Sequence, residues 1–194
     1  MQRASRDRIV EAAVTLTAEK GWETIPLHAV RQRAGVSNGT LFHHFPSRED
    51  LASAVVAAGM SAHEADLLAE LHAGASTREA VLGLVQQHLR WIGHNQHLAR
   101  LLLSAAPHTL RAELPAPTVS ANRAFFAQVA DWLTARGWTG TPSLTAVAAL
   151  WLGPAQYYAR GWLADPDSSL HTVAADLADG AWHALAPLLN PEDA

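Results

Sequence analysis

The sequence predicts an all-α fold of about nine helices, with a small three-helix module at the N-terminus and a larger helical body behind it. Three observations carry that expectation. Apolar residues recur at helical spacing along almost the whole chain, as at Ile9, Ala13 and Leu16. Helix-stopping and helix-starting residues punctuate the pattern, among them Gly21, Gly35, Gly74, Gly137 and Asp165-Pro166. No segment shows the two-residue alternation of a half-buried strand.

The elements follow in order. A first helix is expected from about Arg6 to Lys20, with Ser5 as its N-cap and Gly21 as its stop. Pro26 suits the first turn of a short second helix whose buried side is Leu27, Val30 and Ala34, ended by Gly35. Ser37 then caps a very short third helix. Leu41 and Phe45, four apart, share its buried face, leaving Asn38, Thr40, His43 and His44 outward. Ser47 with Asp50 three residues on resembles a capping box and opens a fourth helix, broken by Gly74. Ser76-Thr77-Arg78-Glu79 opens a fifth, reaching the mid-nineties, and a sixth covers about Gln96 to Ala105. Pro107 to Pro117 reads as a loop. A seventh helix is expected from about Thr118 to Arg136. An eighth, after Ser143, reaches about Leu163 and should kink at Pro154, and a ninth runs from Ser169 to Leu189. The expected domains are residues 5–52 and 53–190.

Composition narrows the function. The net charge is −4, yet residues 1–48 hold seven basic against four acidic side chains, and the rest hold seven against fourteen. The N-terminal module is therefore locally basic, which is what phosphate contact requires. No apolar run is long enough to span a membrane, and none follows the N-terminus as a signal peptide would, so no membrane association and a cytoplasmic location are expected. Cysteine is absent, which removes disulfide and thiolate chemistry.

A helix as short as the third survives only by packing on neighbours. Its exposed polar face suits the DNA major groove, which admits one helix and is read by that helix's first residues. The run Ala34-Gly35-Val36-Ser37, then Gly39-Thr40-Leu41, Phe45, Arg48-Glu49 and Leu51, resembles the TetR family of bacterial transcriptional regulators over about residues 5–55. The resemblance puts Ser37, Asn38, Thr40, Phe42, His43 and His44 at or near DNA, and Arg48 where a phosphate-binding lysine is usual. Phe42 stands where a tyrosine is common, Ile25 where a threonine is common, and Arg31 where a small residue usually packs. The family also implies that helices eight and nine pair with their counterparts in a homodimer. Two modules would then read a palindromic double-stranded operator about one DNA turn apart.

The body is rich in large aromatics. Met60, His88, Trp91, Phe125, Trp151 and Tyr158 are the candidate lining of a cavity for a small, largely apolar effector. On helix eight, Val147, Trp151, Pro154 and Tyr158 form one expected stripe and Ala149, Gly153, Gln156 and Arg160 lie opposite. Helix nine has a small-residue run at Ala174, Ala178 and Ala181. These small faces are the candidate dimer interface. His63, His72, His88, His94 and His97 raise a metal reading, but no HExxH motif or carboxylate cluster supports one, so no metal or cofactor is expected. No nucleophile elbow or phosphate-cradling loop suggests catalysis. The expected function is a dimeric repressor released from its operator by a small effector. The alternatives are a regulator whose ligand favours the DNA-bound state and a helical small-molecule-binding module that has lost specific DNA binding.

Overall fold

Local chemistry decides most helix ends. In the computed structural model, residues 2–104, 116–165 and 170–189 are described; these contain nine α-helices and two short 3-10 turns. We label the helices α1 (Gln2–Lys20), α2 (Leu27–Ala34), α3 (Asn38–His44), α4 (Arg48–Ala73), α5 (Thr77–His94), α6 (Gln96–Ser104), α7 (Ala116–Thr134), α8 (Leu144–Ala164) and α9 (Leu170–Leu185). The 3-10 turns are Trp22–Thr24 and Ala186–Leu188.

α1 begins before Ser5, so Ser5 lies inside its first turns and is not its cap. α2 follows Pro26 directly and ends at Gly35, which is left-handed at φ 62. There Val36 N–H donates to Arg31 O and Gly35 N–H to Gln32 O, the paired bonds of a Schellman stop. Ser47 and Asp50 cap α4 reciprocally, with Ser47 N–H on Asp50 Oδ2 at 3.0 Å and Asp50 N–H on Ser47 Oγ at 3.1 Å. Ser76 and Glu79 repeat the arrangement at α5, with both bonds at 3.2 Å. Ser143 caps α8 by accepting from Ala146 N–H. Of the expected Pro107–Pro117 loop, residues 107–115 lie outside the described residues, and Ala116 and Pro117 already belong to α7. α9 stops at Leu185, and Pro187 sits in the 3-10 turn that replaces its expected last turn. α8 runs through Pro154 as one helix. The proline is exposed, and having no N–H it cannot donate to the Leu150 carbonyl one turn earlier.

The chain divides into two units, Met1–Ala62 with Asn95–Ser120, and His63–His94 with Ala121–Ala194. The partition differs from the expected break after residue 52. α6 belongs to the first unit because it packs on α1 and the Trp22–Thr24 turn. Leu98 and Ala99 are buried there, and Leu98 methyl carbons lie 3.0 and 3.1 Å from where a Cβ on Gly59 would sit.

In the first unit, α1 buries Ile9, Ala12, Ala13, Leu16 and Thr17, one continuous helical stripe. Thr17 is tolerated there because its hydroxyl donates to Ala13 O at 2.8 Å. α2 and α3 pack against α1 and each other, and Trp22, Ile25, Val30, Leu41, Phe45, Leu51 and Val55 complete the core. In the second unit, α9 packs against α5 and α8, and α5 against α8. α5 is buried over most of its circumference, with Val81, Leu84, Val85, His88, Leu89, Trp91 and Ile92 all inside. Val147, Trp151, Ala155, Ala159 and Leu163 form the buried stripe of α8. Pro154 and Tyr158 fall off that stripe, because its spacing is four residues throughout and not the mixed spacing expected.

Candidate functional sites

α3 has seven residues, too few for a stable helix alone. It is held by Leu41 and Phe45, both buried, each worth about 1.5–3 kcal/mol relative to exposure. Its start is fixed by Ser37, whose hydroxyl accepts from Thr40 N–H at 3.1 Å and pairs with Thr40 Oγ1 at 2.9 Å. That geometry turns the rest outward. Ser37, Asn38, Gly39 and His43 are exposed, Thr40 and His44 half-buried, and Phe42 is 46 % exposed. The His43 and His44 rings meet edge-on at 5.3 Å, and Arg6 of α1 sits 5.4 Å over the Phe45 ring. Only Ser37 Oγ, at 3.9 Å, approaches the position a Gly39 Cβ would take, so the space left by Gly39 faces outward.

Arg48 occupies a different situation from the one its sequence position suggests. Its guanidinium donates from Nη1 to Ile25 O at 2.6 Å and from Nη2 to Trp22 O at 2.5 Å. It also lies 4.6 Å over the Trp22 ring. The side chain clasps the segment between α1 and α2 to the start of α4, and two of its five N–H donors are occupied. Ile25 is a core residue, 2 % exposed. The exposed Arg33–Glu19 pair at 3.0 Å contributes little by comparison.

The second unit gathers His88, Trp91, Phe125 and Trp151 in its buried interior, with Tyr158 half-buried. Met60, the remaining candidate lining residue, is half-buried in the first unit. Trp151 Nε1 donates to Val81 O at 3.0 Å and its ring tilts against Trp132 at 5.8 Å. Arg136 covers Trp132 at 3.9 Å. His88 Nδ1 shares a hydrogen bond with His63 Nε2 at 2.8 Å, and His63 stacks on Trp91 at 4.4 Å. Burial lowers the His63 pKa to about 4. Burial, then repulsion from His63, lowers that of His88 to about 3. Beside them, Asn122 Nδ2 donates to Glu64 Oε1 at 2.7 Å. Burial raises the Glu64 pKa, and that bond opposes the rise. Sequence reading placed His63 only among metal candidates. The sequence put it and His88, 25 residues apart, on helices that could face one another, and the structure joins the two rings.

The small-residue faces divide. Ala149 is exposed, and Gly153, Gln156 and Ala174 are half-buried. Ala178 and Ala181 are 0 % and 2 % exposed within this single chain, so they cannot meet a second one. They are small because α9 packs against α5 and α8. On α8, Leu150 (44 % exposed) and Tyr157 (82 %) stand on the outer face, and a Cβ at Gly153 or Gly161 would meet nothing within 4 Å.

Among known proteins, the family described as bacterial regulatory proteins, tetR family, matches residues 9–55. The HTH-type transcriptional repressor KstR of Mycolicibacterium smegmatis is 40% identical over 50 residues, covering 26% of this chain and 24% of that protein. The HTH-type transcriptional regulator BetI of Rhizobium meliloti is 28% identical over 90 residues, 46% of this chain and 44% of its own length. The chain thus spans less than half of either curated relative. A TetR transcriptional regulator from Rhodococcus sp. RHA1, known from its crystal structure, matches 96% of this chain and 98% of its own at 26% identity, with a TM-score of 0.63.

Proposed function

Because the chain belongs to the TetR family of bacterial regulatory proteins, a family of transcription regulators and not of enzymes, we propose that it acts as a homodimeric repressor released from a palindromic operator by a small, largely apolar effector. The observation that carries the reading is α3. It is a seven-residue helix, pinned from beneath by Leu41 and Phe45, whose outward residues are mostly polar or aromatic. Asn38, Thr40, His43 and His44 supply donors and acceptors for base edges and phosphates, Ser37 sits at the helix start, and Phe42 supplies apolar contact such as a thymine methyl accepts.

The homodimer is supported by the outer face of α8, where Leu150 and Tyr157 flank the open ground at Gly153. Ala149, Gln156 and Ala174 extend it. The effector would engage the aromatic and histidine interior of the second unit. α4 contributes residues to both units, so a ligand that favours one position of α4 would bias the recognition helices. A ligand indifferent to the two states would shift nothing.

The test is a gel shift with footprinting on DNA flanking the gene, at two salt concentrations. Protection of two half-sites about one helical turn apart, weakening steeply with salt, is the expected result. Binding that is absent at low salt would replace this reading with that of a ligand-binding module without an operator.

A further inference from the structure

The second unit buries two imidazoles whose hydrogen-bonding capacity its own core leaves half used. His63 on α4 and His88 on α5 share a single bond at 2.8 Å, with ring centroids 5.0 Å apart. His88 is 4 % exposed. The far nitrogens, His63 Nδ1 and His88 Nε2, are both buried and have no partner among the described residues. Buried polar atoms left in that state are rare, because a donor or acceptor removed from water and not re-paired is costly.

Proton accounting gives the pair a definite chemical character. Two neutral imidazoles hold one N–H each. If His63 donates across the shared bond, its Nδ1 is a bare acceptor and His88 carries its own proton on Nε2, a donor. If His88 donates, the roles exchange. Either way the pair offers one donor at one end and one acceptor at the other, and moving both protons swaps the ends. Burial keeps the rings neutral, so neither end offers a full charge.

We propose that the His63–His88 pair is the polar anchor of an effector site in this unit, and that it selects a neutral apolar molecule bearing a hydroxyl group. This rests on the reading of the chain as a ligand-responsive regulator. A hydroxyl both donates and accepts, so it satisfies whichever end it meets, and the pair sets its protons to match. A hydrocarbon of the same size can satisfy neither end. A carboxylate would carry its charge against two neutral imidazoles buried away from water.

The probes are 4-ethylphenol and 4-ethyltoluene, which differ by a methyl group in place of the hydroxyl, titrated into full-length protein with 15N-labelled histidine. The expected result is that 4-ethylphenol moves the His63 Nδ1 or His88 Nε2 resonance and binds about ten-fold more tightly than 4-ethyltoluene, the worth of one hydrogen bond. His88→Phe should bring the two affinities together, and His63→Gln, which keeps a donor and an acceptor, should retain part of the preference. Equal affinities in the unaltered protein, no binding of 4-ethylphenol up to its solubility, or binding that leaves both far nitrogens unmoved overturns the anchor. The gel shift is run on the same sample. Operator binding with equal probe affinities retires the anchor and leaves the repressor reading intact, whereas a hydroxyl preference without DNA binding retires the repressor reading alone.

Discussion

Replacing Arg48 with alanine separates two roles that the sequence alone could not. The clasp consists of two bonds from a charged donor to backbone carbonyls, at 2.6 Å and 2.5 Å, and a cation over the Trp22 ring at 4.6 Å. Hydrogen bonds to charged groups contribute about 1.5–3 kcal/mol each, and the half-buried setting argues for the lower end. The ring contact adds about 0.5–1 kcal/mol. Together these predict a loss of about 3–4 kcal/mol for Arg48→Ala, or roughly 10 °C in Tm for a chain of this size. Arg48→Lys should recover less than half, because an ammonium lacks the fork that reaches two carbonyls at once. The assay is urea unfolding followed by circular dichroism, paired with the salt dependence of binding to non-operator DNA. A purely phosphate-binding Arg48 would give the opposite pattern. Stability would change by less than about 0.5 kcal/mol, and the log–log salt slope would fall by about 0.9. That outcome would refute the clasp.

Four further outcomes are expected. Ser37→Ala removes the α3 cap and should cost about 1 kcal/mol, read as a lower urea midpoint. Gly74→Ala should cost about 2 kcal/mol or more, since its Cβ would lie 2.6 Å from Ala80 N and 2.8 Å from Ala80 Cα, which are backbone and cannot swing aside. Gly153→Leu meets no atom within 4 Å in the single chain, so the monomer should fold normally while the mass in solution halves; an unchanged mass would place the dimer seam elsewhere. For the histidine pair, folded pKa values near 4 and 3 lie below the ordinary 6.5. Stability should therefore be full above pH 6.5, fall as the unfolded chain takes up protons the folded one refuses, and level off below the folded values. From pH 8 to pH 5 the pair accounts for roughly 4 kcal/mol; His88→Phe should flatten about half of that dependence, and an identical slope in the variant would contradict it.

The N-terminal module was legible in the sequence because its signals are local. A Gly35 stop, a Ser37 cap and two apolar residues four apart act within a dozen positions, and the structure shows each of them acting as read. The Ser47–Asp50 and Ser76–Glu79 caps were legible for the same reason. What escaped depends on which neighbour a face meets. Ala178 and Ala181 looked like ground for a second chain, but α5 and α8 of the same chain take that side of α9. The clasp made by Arg48 was not legible, because nothing in its own helix reveals two carbonyls 23 and 26 residues earlier. His63 and His88 could be placed on helices able to face one another, but not as rings sharing one hydrogen bond. Ser5 failed for a simpler reason, since α1 begins upstream of it.

The place of α6 limits how this protein can be cut and recombined. The first unit is made of two separate stretches, and α4 is divided between the units at Ala62 and His63. A graft of residues 1–52 onto another regulator's body would leave Ile9's helix facing a foreign α6, with His97 no longer seated at Gly21 nor Leu98 at Gly59. Interchangeable DNA-reading heads therefore have to travel as a discontinuous cassette that carries α6 with them. Inheritance by simple head-to-tail fusion would break the packing on which the reading helix stands.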